Sequence, residues 1–302
     1  MSAPSSCRHF FFLVAATACW GGGTVLSKQV LDRGVAPLTL LVIELAASCL
    51  LLVGLMFLLR VAWVGSRALG KLALLGVLNP GAAYALGLLG LTTISASMSV
   101  LLWGSEPVLI LLIAILVLRE RVAAATLVAV IVALVGVLLV VHRPGAAGDL
   151  AGIALTVSAV TACACYTVLT RRLLLDDGSL LVALVQQGAA LTCAVVVAGL
   201  SALTGVADLR PPADASSWAL AVLSGSIYYG FAFWFFVAGL SGVPASTAGA
   251  FLPLTPVFGL AAASFVGERL LERQWLGAAL VILATVSLTG RHFTTRGDEA
   301  QV

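Results

Sequence analysis

Charge is scarce in this sequence: only 10 % of its 302 residues are Asp, Glu, Lys or Arg, where a soluble globular chain carries roughly 25 %. With 61 % hydrophobic residues and a mean hydropathy of +1.14, a water-exposed surface cannot be assembled, which excludes a soluble fold. The net charge of +3 is spread thinly, so there is no basic face for nucleic acid. Histidine is almost missing. His9, His142 and His292 all fall at the ends of apolar runs, which argues against an intramembrane zinc protease, a haem site or a histidine proton relay. Of six cysteines, five lie within apolar runs, where they read as small buried residues. Cys163 and Cys165 point to different faces of a helix, so neither a disulfide nor a metal pair is favoured. There is no glycine-rich phosphate loop with a lysine, no carboxylate pair at catalytic spacing, and no Cys-His or Ser-His pair at a shared depth. No catalytic residue, metal or cofactor is therefore expected, and the chain reads as a protein that is not an enzyme.

What is present is apolar sequence in long continuous runs. They fall at about 10–31, 38–59, 71–91, 94–118, 123–141, 150–175, 179–204, 218–240, 244–266 and 275–292, each near the ~20 residues that cross a bilayer as a helix. The runs do not alternate, which excludes a transmembrane barrel. The first follows Arg8 and has the outline of a secretory signal peptide, but its length and the runs behind it make it a retained first helix.

The chain also repeats itself. GAAYALGLLGL at 81–91 aligns with GFAFWFFVAGL at 230–240, and ISASMSVLLWGSEPV at 94–108 with VPASTAGAFLPLTPV at 243–257, both at an offset of 149. Pro107 then pairs with Pro256 and Glu106 with Thr255; one gap brings Glu120-Arg121 onto Glu268-Arg269. Upstream, TVLSKQVL at 24–31 matches TVLTRRLL at 167–174. The fold class expected is an all-α integral membrane protein with ten transmembrane helices arranged as two inverted five-helix repeats, because an odd number of helices per half forces the halves to insert in opposite directions. The repeats are expected at 1–143 and 148–292, followed by a cytoplasmic tail at 293–302. With the N-terminus inside, Lys and Arg number ten on the cytoplasmic side and six on the other, so both termini are expected in the cytoplasm. Trp63, Trp218 and Trp275 fall at run ends, as interfacial anchors do.

The Trp20-Gly21 pair, Glu106-Pro107, Glu120-Arg121 and the stretch PASTAGAFLPLTPVFGLAAASFVGERLLERQWLGAAL at 244–280 together resemble the EamA family of the drug/metabolite transporter superfamily. The resemblance covers nearly the whole chain. It implies a multi-pass exporter or permease of the cell (plasma or inner) membrane that moves small metabolites by alternating access. Its partners would be a small-molecule substrate, such as an amino-acid-like or amphipathic drug-like compound, and the lipid bilayer; a homodimer stays open. The resemblance does not name the substrate. Where many relatives place an arginine seven residues after the second-helix proline, this chain has Glu44 after Pro37, so an anion-binding role does not carry over.

A charged side chain inside hydrocarbon costs about 2.5 to 3.5 kcal/mol. Glu106, mid-helix beside Pro107, is therefore the first candidate for substrate contact or proton coupling, with a structural carboxyl bonded to a neighbouring helix as the alternative. Glu44 is the second, against a snorkelling or interhelical acid; Gln186 or Gln187 is its counterpart in the other half. The aromatic run YYGFAFWFF at 228–236, with Asn79 and Pro80 as the repeat partners of Tyr228 and Tyr229, nominates a cavity lined by Trp20, Asn79, Tyr84, Trp103, Glu106, Tyr228, Tyr229, Trp234 and Thr255, with core packing as the alternative. Gly21 to Gly23 read as a site of close helix approach, and the small-residue faces at 95–99 and 245–249 as helix contacts. Lys28 and Arg171 read as snorkelling cations, and Asp176-Asp177 as solvated charge. Glu120, Arg121, Glu268 and Arg269 read as helix-end pairs or gate contacts. The driving force would be a proton or substrate gradient. A membrane-embedded lipid-modifying enzyme and a non-transporting scaffold are the rival readings.

Overall fold

The computed structural model describes residues 3–61, 67–91, 102–103, 105–120, 122–141, 149–173, 178–205, 208–265 and 272–299. Every regular element among them is helical: α1 Ala3–Asp32, α2 Pro37–Leu58, α3 Arg67–Gly76, α4 Ala83–Leu91, α5 Glu106–Ile113, α6 Ala124–Val141, α7 Leu150–Leu173, α8 Ser179–Thr204, α9 Ala215–Gly225, α10 Ala232–Leu240, α11 Ala245–Gly249, α12 Leu254–Phe265 and α13 Glu272–Glu299. Six helical stretches are long and apolar enough to cross a membrane: Cys7–Asp32, Pro37–Leu58, Leu69–Gly87, Leu150–Leu173, Ser179–Thr204 and Ala215–Leu240. Shorter apolar helices run over Glu106–Leu118, Ala124–Leu139 and Trp275–Ala284. Large apolar side chains face outward as well as inward, Leu203 at 86 % and Phe57 at 81 % exposure. An apolar exterior around a packed apolar interior is what a lipid-embedded protein presents.

Three expected helices are not continuous. Wide π-helical turns over Val77–Ala82 and Ser226–Phe231 interrupt the third and eighth. In the first, Asn79 is extended (φ −147°, ψ 122°) because the α region is disfavoured for a residue that precedes proline, here Pro80. The ninth breaks into α11 and α12 across Ala250–Pro253, where Pro253 cannot donate to the preceding turn. At the C-terminal end, α13 continues to Glu299, past the expected boundary at 292.

The repeat offset reappears in these boundaries. Adding 149 to Gly76, Val77, Ala82, Ala83 and Leu91 gives Gly225, Ser226, Phe231, Ala232 and Leu240, the edges of α9, the second wide turn and α10. It reappears in the packing too. A Cβ on Gly76 would lie 2.2 Å from Gln186 O, and one on Gly225 would lie 2.4 Å from Glu44 Cα. A Cβ on Gly90 would meet Gly152 and Thr156 of α7; one on Gly239 would meet His9 and Leu13 of α1, the same positions 143 residues earlier. Helix α1 therefore packs on α9, α10 and α12 of the second half much as α7 packs on α3 to α5 of the first, while α2 sits against α8 and α6 against α13. Glycine is what lets these backbones touch without hydrogen-bonded competition from side chains.

Outside the apolar zone, Asp214 caps α9. Its Oδ1 accepts from Ser217 N at 2.8 Å and Ser216 Oγ at 2.6 Å, and Oδ2 from Ser217 Oγ at 2.9 Å. The side-chain bond from Ser216, then the backbone and side-chain bonds from Ser217, hold this carboxyl at about 2, below its ordinary 3.8. A depressed carboxylate stabilises the fold above its unfolded value and loses that contribution as pH falls through the folded one. Asp214→Ala should accordingly lower the Tm of the purified protein at neutral pH, and the difference should vanish between pH 4 and pH 2; a gap that persists at pH 2 would count against the cap.

Candidate functional site

The wide turn of the eighth helix and the start of α4 bring aromatic side chains of both halves together. Tyr84 lies 6.0 Å from Trp103, 6.1 Å from Tyr228 and 5.7 Å from Tyr229, ring centroid to centroid. Tyr228 and Tyr229 are 4.9 Å apart, and Tyr229 stacks on Phe233 at 6.1 Å with an interplanar angle of 4°. Trp20 of α1 joins at the edge of the group, 5.4 Å from Phe233 and 5.2 Å from Phe236. A wide turn sets successive side chains about an extra residue out of helical register, so Tyr228 and Tyr229 can face the same neighbours. Gly23 makes the room: any Cβ there would lie 2.7 Å from Tyr228 Cβ.

Two carboxyl groups flank these rings. Glu44 is 4 % exposed and accepts at Oε1 from Ser27 Oγ and Ser224 Oγ, each at 2.6 Å, while the two hydroxyls are 2.7 Å from each other. The two hydroxyls give the buried Oε1 its hydrogen-bond partners. Glu44 also interacts electrostatically with Tyr228 and Tyr229. Glu106 opens α5 in its first turn, where the exposed N–H groups favour negative charge. No described residue hydrogen-bonds its carboxyl; its electrostatic neighbour is Cys163, which in turn adjoins Tyr84 and Tyr228. Tyr84, Trp103, Glu106 and Tyr228 each keep some accessible surface.

The other half mirrors the Glu44 arrangement without the charge. Tyr166 OH donates to Gln186 Oε1 at 2.8 Å, and Gln186 Nε2 to Thr170 Oγ1 at 3.2 Å. Ser27 and Thr170 are repeat partners, and so are Gly23 and Tyr166. Among the described residues, Gln187 is fully buried with neither amide atom partnered, and Asn79 Oδ1 and Trp20 Nε1 are likewise buried without a partner.

Of the residues nominated from sequence, Tyr84, Tyr228 and Tyr229 are in mutual contact and Trp103 touches Tyr84, with Glu44, Glu106 and Trp20 nearby. Thr255 lies behind this group; a Cβ on Gly21 would come 2.6 Å from its carbonyl oxygen. Trp234 does not join. It packs with Phe231 at 6.4 Å and Phe235 at 5.2 Å, in a separate stack that runs on to Phe12. Helical periodicity places residue 234 on a different face from 229 and 233. Cys163, Phe233, Ser27 and Ser224 were not nominated. Cys163 had one signal available, since it is the repeat partner of Trp20 at the offset of 143.

At the end of the molecule that carries His9, Glu120 ties the halves together. Arg119, left-handed at φ 54°, ends the helix, and Glu120 then accepts from Ala245 N at 2.9 Å, Ser246 N at 3.2 Å and Ser246 Oγ at 2.6 Å. Arg171 Nε donates to Val243 O at 2.8 Å and His9 Nδ1 to Ala238 O at 2.9 Å. The other nominated helix-end residues, Arg121, Glu268 and Arg269, lie outside the described residues, as do the 95–99 face and Asp176-Asp177.

These features define a multi-pass membrane protein built from a duplicated helical unit around a central polar-aromatic group. The chain belongs to the EamA-like transporter family, which it matches over residues 8–142 and again over 150–290. No curated protein matches the sequence. A solved structure titled only "Crystal structure of protein" has the same fold, with a TM-score of 0.78 at 18 % identity over 93 % of this chain and 96 % of that one.

Proposed function

We propose that this protein is a secondary transporter that exports a small organic metabolite or amphipathic drug-like compound across the cytoplasmic membrane by alternating access. In this reading ten helices form two inverted halves, both termini are cytoplasmic, and the substrate binds against Tyr84, Trp103, Glu106 and Tyr228. The observation that carries it is the pair of wide turns that interrupt the third and eighth helices at matched positions, Val77–Ala82 and Ser226–Phe231, with the break at Ala250–Pro253 before α12. Interrupted helices that face each other across a repeat interface are where transporters bind substrate.

Glu120 is the proposed closure of the cytoplasmic end, because its bonds to Ala245 and Ser246 join α11 to the end of the first half and must part if that end opens. The test is uptake into proteoliposomes that contain this chain alone, over a panel of amino acids, nucleosides and amphipathic amines with an imposed pH gradient. Saturable uptake above empty liposomes is expected for at least one class. Absence of flux for every class, from protein shown to be monodisperse, would sink the transporter reading.

A further inference from the structure

We infer that Glu44 is a proton-binding latch: in this conformation it carries a proton, and that proton closes a ring of three oxygens that holds α1 to α9. The protonation stands apart from the transporter reading, whereas its use as a pH control on the transport cycle rests on that reading. Glu44 Oε1 lies 2.6 Å from Ser27 Oγ and 2.6 Å from Ser224 Oγ, and the two hydroxyl oxygens lie 2.7 Å from each other. Each edge of this triangle has the length of an O–H···O bond, so each needs a hydrogen. The two serines supply one apiece. If both donated into a carboxylate, the serine-to-serine edge would press two oxygens together with no hydrogen between them. A hydrogen on Oε1 completes the set: Glu44 donates to one serine, that serine to the other, and the second back to Glu44. Burial points the same way, since Glu44 is 4 % exposed and a carboxylate in hydrocarbon costs far more than a neutral acid.

The titratable groups facing Glu44 are the phenols of Tyr228 and Tyr229 on the wide turn. Helices α8 and α9, which pack on α2, contain no Asp, Glu, Lys or Arg, and α2 has no other charge; on α1 the sequence places Lys28 beside Ser27 and Asp32 further on. Ser27 belongs to the first half and Ser224 to the second, so the ring ties the halves together. Loss of the proton to water removes one of its three bonds and leaves a buried charge whose hydration needs α1 and α9 to part. The matched cluster of the other half cannot respond in this way. Gln186 stands against Gly76 as Glu44 does against Gly225, and Thr170 is the repeat partner of Ser27, yet Gln186 is an amide that bonds Tyr166 and Thr170 and cannot ionise. One of two matched latches therefore answers to pH. Ser27 is near the end of α1 opposite His9, so in the proposed orientation the titrating latch is the outer one.

The test is infrared difference spectroscopy of the purified full-length chain at neutral pH. Glu44→Gln should remove a protonated-carboxyl C=O band and no carboxylate band, and raising the pH of the wild type should convert that band into carboxylate. Ser224→Ala and Ser27→Ala break the ring without touching the acid and should shift the same band, a readout that holds even if Glu44→Gln does not fold. Loss of a carboxylate band in the Glu44→Gln difference, or a C=O band that both serine variants leave in place, would overturn the inference. Hydrogen exchange of the α9 amides, corrected for its intrinsic pH dependence, should quicken by about tenfold as the band converts, and should not do so in Glu44→Gln. Equal exchange on both sides of the conversion would overturn the latch. The band and the exchange change in a chain that moves no compound would keep the latch and remove the transporter. Flux whose dependence on outer pH is the same in the wild type and Glu44→Gln would keep the transporter and remove the pH control.

Discussion

Glu106→Gln is expected to reduce pH-gradient-driven uptake to the level of empty liposomes while the protein remains folded and monodisperse. The amide has the carboxyl's shape but cannot take up or release a proton, and it cannot carry negative charge. Glu106 suits a coupling role better than Glu44 does on structural grounds. It opens α5, it has no described hydrogen-bond partner, and it retains accessible surface, so a proton can reach it and leave. Glu44 is buried under two hydroxyls whose rearrangement would have to accompany each proton. Exchange of substrate without a gradient should persist in the variant. The measurement is uptake against imposed pH gradients of both signs, and a pH dependence identical to that of the wild type would remove Glu106 from the mechanism.

Gly225→Val and Gly76→Val should each lower stability by at least the ~1 to 3 kcal/mol that overpacking costs. The atoms in the way are backbone: Glu44 Cα and O at 2.4 Å for Gly225, and Gln186 O at 2.2 Å for Gly76. Neither can rotate aside, so the helices must separate, and separation at Gly225 also pulls Ser224 from Glu44. Gly22 is the internal control. Nothing lies within 4 Å of a Cβ built there, so Gly22→Ala should be neutral or stabilising by up to about 1 kcal/mol through helix propensity. Detergent-solubilised melting temperatures for the three variants would check this, and equal losses at Gly22 and Gly225 would refute the proposed contact.

Much of the helical skeleton was legible in the sequence. Apolar runs of bilayer length gave 179–204 to the residue, and the offset of 149 aligned the third helix with the eighth down to the ends of their wide turns. The breaks were less legible. Pro80 and Pro253 were visible, yet proline in an apolar helix is compatible with a bend or with a stop, and only the packing of neighbours decides which. The pairing of Gly76 with Gln186 and of Gly225 with Glu44 was hidden as well, because periodicity tells which residues share a face but not which helix that face meets.

The candidate site divides the same way. Residue type and depth by themselves nominated Glu106, Glu44, Tyr84, Trp103, Tyr228 and Tyr229, since charge and phenols are costly in hydrocarbon and stand out where the background is Leu, Val and Ala. That scarcity of charge, with the internal repeat, determined that the chain is a helical membrane protein of duplicated design. Tertiary structure alone decided that Trp234 joins a separate stack, that Cys163 comes within electrostatic reach of both Glu106 and the tyrosines, and that two serines from different halves hold Glu44. These are relations between helices far apart in the chain, set by which glycines allow two backbones to meet, and no local pattern encodes them.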